Sequence, residues 1–74
     1  MATDTIEVAG AAWSVSAPNS MRRKIIESAS AGGRLSLPGC VRFRRVDGGP
    51  VTKADTGRAF AEWLVSLLNR ASAN

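Results

Sequence analysis

Histidine and tyrosine are absent from this 74-residue chain, and its one cysteine is Cys40. Without histidine the commonest general base is missing, and neither a Ser-His nor a Cys-His pair can form. A single cysteine excludes an internal disulfide, and no Cys/His set exists for a structural zinc site. The six acidic residues stand singly, so no carboxylate pair points to hydrolysis. A Ser-Lys pairing through Lys24 or Lys53 has no supporting spacing. Gly32-Gly33 and Gly48-Gly49 match neither a phosphate loop nor a dinucleotide fingerprint and read as punctuation. Cys40, beside Val41 at a strand start, reads as a small core residue rather than a reactive thiol. The expectation is a non-enzyme with no cofactor and no metal.

Long hydrophobic runs are lacking too. The most apolar stretch, residues 59–68, is broken by Glu62 and is too short to cross a bilayer. Asp4 and Glu7 near the start leave no basic-then-apolar signal-peptide pattern. A soluble, cytoplasmic protein without membrane contact is expected. The length suits one domain over 1–74, with frayed ends at 1–4 and 72–74. Hydrophobic residues make up 45% and charged residues 22%, the balance of a folded domain rather than a disordered tail.

The pattern along the chain predicts short strands and two helices. Residues 5–9 alternate apolar and polar, as do residues 13–16, but out of phase: Ile6 and Val8 are even, Trp13 and Val15 odd. A turn or bulge at Gly10-Ala11 would absorb the change and make a hairpin. Pro18 opens a helix, with Ser16, Asn19 or Ser20 as candidate caps, and Gly32-Gly33 stops it. Met21, Ile25, Ile26 and Ala29 share one side of that helix; Arg22 falls among them, its stem packing inward while its head snorkels out. Residues 34–37 and 40–46 read as strands around Pro38-Gly39, and residues 47–50 as a loop. Thr52 and Asp55 form a capping-box variant ahead of a long helix. Its central stripe is Phe60, Leu64, Leu67 and Ala71, flanked by Trp63 and Leu68, with Ala54, Ala61 and Val65 widening the apolar side to roughly 200°.

The sum is an α+β fold: a small two-layer domain in which an antiparallel sheet of three to four strands packs against two helices in ββαββα order. The expected core is Ile6, Val8, Trp13, Val15, Ile25, Ile26, Leu35, Leu37, Val41, Phe43, Phe60, Leu64, Leu67 and Leu68.

Ten basic residues against six acidic ones give a net charge of +4, and eight of the ten are Arg, which suits bidentate contact with carboxylate or phosphate. Around Phe43, alternation sends Arg42 and Arg44 outward about 7 Å apart, whereas Arg45 points inward unless the strand bulges or ends there. Arg34, Arg23 and Lys24 are candidates to extend this partner-binding patch. Ala61 and Val65 are candidates for self-association as a homodimer. All four aromatic residues are wanted by the core, which argues against stacking on single-stranded bases. Small, short of catalytic groups and rich in Arg and Ala, the chain resembles in type the accessory proteins of phages and mobile elements. The function expected is a stoichiometric protein-binding regulator or inhibitor that uses the Arg-rich surface on an anionic macromolecular partner. A protein is favoured over nucleic acid; the alternative is a nucleic-acid-binding module using the same arginines on phosphates.

Overall fold

A computed structural model describes residues 2–73, and the side chains of residues 3–71. The elements run β1 (Ala2–Val8), β2 (Ala11–Ala17), α1 (Asn19–Ser30), β3 (Arg42–Arg45) and α2 (Lys53–Ala73), an α+β order of ββαβα. The three strands form one antiparallel sheet in the order β1-β2-β3. Residues 2–4 and 72–73, read from sequence as frayed, belong to β1 and α2; Met1 and Asn74 lie outside the described residues.

The hairpin turns at Ala9-Gly10, one residue earlier than Gly10-Ala11, and Val8 pairs with Ala11 across it. Both turn residues have positive φ, 51° and 83°, as the tight two-residue connection requires. Ala9 holds that left-handed conformation at a cost of about 1 kcal/mol. The phase change is thereby resolved, since Ile6 pairs directly with Trp13 on one face.

The expected fourth strand does not form: residues 34–37 are irregular. β2 is already paired on both sides, so this segment could join only at an outer edge. It leads into β3 through a corner closed by the Val41 N–H donating to the Pro38 carbonyl, and Pro-Gly lacks the twist of a two-residue hairpin. Leu35 still packs on the core, but Leu37, expected there too, is 41% exposed.

The first helix has no side-chain cap; instead of Ser16, Asn19 or Ser20, the Pro18 carbonyl accepts from the Met21 and Arg22 N–H groups. Its end is a Schellman motif, with Gly33 N–H donating to Ser28 O and Gly32 N–H to Ala29 O. Gly32, at φ 76°, fills the left-handed position such an end requires. The second helix opens on the anticipated box: Asp55 N–H donates to Thr52 Oγ1 at 3.1 Å and Thr52 N–H to Asp55 Oδ2 at 3.2 Å.

Both helices lie on the face of the sheet that carries Val8, Trp13, Val15 and Ala17. Val15, Ala17, Ile25, Val41, Trp63 and Leu67 form one buried cluster, and Val8, Trp13 and Ala59 a second. The second helix is turned relative to the sequence reading: Ala59 and Trp63 are fully buried, while Phe60 and Leu64 are only half-buried. Phe43, Phe60 and Trp63 meet within 6.3 Å, Phe43 edge-on to both. No helix among the described residues is long and apolar enough to cross a membrane.

Candidate functional site

Among the described residues, no helix packs over the other face of the sheet. Register sets its side chains in rows: Thr3–Ser16–Arg42 and Thr5–Ser14–Arg44. A third row, Glu7–Ala12–Val46, follows because Val46 N–H donates to Ala12 O just past the end of β3. Successive rows stand about 7 Å apart. Thr3, Thr5, Glu7, Arg42 and Arg44 are exposed, with Ser14 and Ser16 half-buried between them. Among the described residues neither Arg42 nor Arg44 has an ion-pair or hydrogen-bond partner. Val46, 63% exposed, stands at the end of the same face and shares a shallow hollow with Ser14 and Arg44. This face can offer guanidinium and hydroxyl donors to anionic oxygens, with one aliphatic anchor beside them.

Arg45 is not part of that face. It pairs with Trp13 and so points to the helix side, which the strand tolerates by ending there. Its Nε and NH2 donate to Asp47 at 3.0 and 2.6 Å, and NH1 donates to the Pro50 carbonyl at 3.2 Å. Asp47 also accepts the Gly49 N–H, so Arg45 ties the 46–50 loop together. The Arg45 guanidinium and then the Gly49 amide hold the Asp47 carboxyl below its ordinary pKa. Arg23 and Lys24 are exposed on α1, behind the sheet, and Arg34 is exposed in the irregular segment. Ala61 and Val65 are exposed as well, about 160° around α2 from the buried Trp63. Cys40 is exposed rather than in the core: it sits in the corner after Pro38, and Val41 takes the buried position.

Sequence reasoning missed a second constellation. Asp4 accepts from Arg22 NH1, from Trp63 Nε1 at 2.9 Å and from Arg70, whose NH2 lies 3.1 Å away. The Arg22 Nε donates to the Ala17 carbonyl, and its guanidinium lies 5.6 Å from the centre of the Trp63 ring. Arg22 therefore does not snorkel into solvent; its side chain is 11% exposed and that of Asp4 12%. Burial opposes ionisation of Asp4, but the donors Arg70, Trp63 and Arg22 outweigh it and hold its pKa at about 2, against an ordinary 3.8. The signal was present: an inward Arg on a helix calls for a buried acid, and Asp4 shares the even phase of Ile6 and Val8. With every oxygen engaged, this cluster ties β1, α1 and α2 together rather than offering a ligand site. A cavity of about 110 Å³ beside Ala9, Trp13 and Arg58 is bordered by Arg45 and Asp55, both already engaged.

Compared with protein-family models, curated proteins and solved structures, the chain matches none.

Proposed function

We propose that this protein is a non-enzymatic binding module, a stoichiometric regulator or inhibitor that lays its bare sheet face on an anionic surface of a larger protein. The observation that carries the reading is the alignment of Arg42, Arg44 and Val46 on one uncovered face, the two guanidinium groups without partners among the described residues. Guanidinium groups that lose water against carboxylates, next to an apolar side chain, make the mixed chemistry of protein interfaces. A second reading is a nucleic-acid-binding module, favoured by the two Thr–Ser–Arg rows, since hydroxyls and arginines are common phosphate ligands. Two arginines neutralise only two phosphates, however, which is few for binding at physiological salt.

The test is the affinity for a partner recovered from the native host, measured across salt concentration. A protein partner anchored at Val46 retains most of its affinity at high salt. Log-linear weakening with a slope near −2, shared by random-sequence duplex DNA, would select the nucleic-acid reading. A partner indifferent to both salt and Val46→Asp would remove this face from the account.

A further inference from the structure

The two edges of the sheet are built differently. β3 is four residues long, carries Arg42, Arg44 and Arg45, and runs into the 46–50 loop. Short length and charge are how edge strands avoid pairing with other chains. β1 is seven residues long and continuous in its pairing with β2, without proline, basic residue or bulge; its two charges are the outward Glu7 and the inward Asp4, which Arg22 and Arg70 already pair.

The direction of its main-chain groups follows from the ladder. Because Val46 N–H donates to Ala12 O, the even residues Ala12, Ser14 and Ser16 of β2 bond toward β3. The odd residues of β2 bond toward β1, meeting Ala2, Asp4, Ile6 and Val8. Thr3, Thr5 and Glu7 therefore turn their N–H and C=O groups outward, and no described residue bonds them. All three are exposed.

We propose that this edge is the contact between two copies of the chain, with β1 pairing antiparallel to β1 of the second copy across a two-fold axis at Thr5. The sequence of the edge is self-complementary in that register. Thr5 meets its own copy, Thr3 meets Glu7 of the other chain, and each such pair exchanges two hydrogen bonds. Like charges are never directly opposed, and Thr–Thr is a favourable cross-strand pair. On the helix side, half-buried Ile6 meets Asp4 of the second copy, an acid already neutralised by Arg22 and Arg70. The product is a six-stranded sheet whose bare face carries Arg42 and Arg44 at both ends, β3 to β3 about 24 Å apart. This contact differs from the helix strip of Ala61 and Val65, and it stands independently of the function proposed above.

Sedimentation of the full chain from low to several hundred micromolar tests it, with Thr5→Lys setting two ammonium groups against each other at the axis and Val65→Lys as the comparison. A dimer is expected in the parent and in Val65→Lys, with self-association at least ten-fold weaker in Thr5→Lys. A parent monomeric throughout, a dimer indifferent to Thr5→Lys, or one abolished by Val65→Lys would overturn it. If Thr5→Lys does not fold, amide exchange in the parent decides: slowing of the Thr3, Thr5 and Glu7 amides with concentration supports the pairing, and unchanged rates reject it.

Discussion

Replacing Asp4 by Asn keeps the shape of the side chain and removes the charge on which Arg22, Arg70 and Trp63 converge. Its carboxyl is held at about 2 against 3.8, and at about 1.4 kcal/mol per pH unit that difference is worth about 2 kcal/mol at neutral pH. Arg70, 56% exposed, supplies the smaller share of what is lost, because solvent screens it. Arg22 carries the larger share, since the substitution removes the carboxylate charge that its nearly buried guanidinium pairs with. The expected loss is therefore about 2–3 kcal/mol at pH 7, or roughly 10–20 °C in melting temperature for a domain of this size. The pH dependence has a definite sign. A pKa lower in the folded than in the unfolded state means stabilisation that is complete above about 4 and is lost as pH falls through about 2. Urea melts of both proteins at pH 7, 4, 3 and 2 read this directly. Asp47 and Asp55, also shifted downward, are common to both proteins, so the difference isolates Asp4. Equal stability at pH 7, or a gap unchanged between pH 4 and 2, would refute the reasoning.

Three further changes test the local structure. Gly57 lies inside α2 with open space where a Cβ would go, so Gly57→Ala should stabilise by about 1 kcal/mol in urea melts. Ala9→Asn should raise the melting temperature, because Asn tolerates the left-handed turn position better than Ala. Thr52→Ala removes the oxygen that accepts the Asp55 N–H and should cost about 1 kcal/mol in the same assay.

What the sequence made legible was local. The Thr52–Asp55 box, the stop at Gly32-Gly33 and the phase shift between Ile6 and Trp13 all depend on neighbours a few residues apart. Non-local choices were not legible. Leu35 and Leu37 alternate like a strand, but no free position beside β2 was left for them. The second helix is apolar around so much of its circumference that periodicity could not orient it; the fully buried Ala59 and Trp63 show the face that won. The Asp4 cluster joins residues from both ends of the chain, and the inward phases of Arg22 and Asp4 hinted at it without naming their pairing. The exposure of Arg42 and Arg44 needed nothing more than alternation about Phe43, and the register opposite Ser16 and Ser14 agrees.

The double substitution Arg42→Ala and Arg44→Ala tests the bare sheet face most directly, with melting and partner affinity measured on the same sample. Exposed side chains without partners among the described residues add little to folding, so the melting curve should be nearly unchanged. Affinity for the partner should fall ten-fold or more, about 1.4 kcal/mol. Full affinity in a folded double variant would contradict the account and leave these arginines as the charged guard of an edge strand.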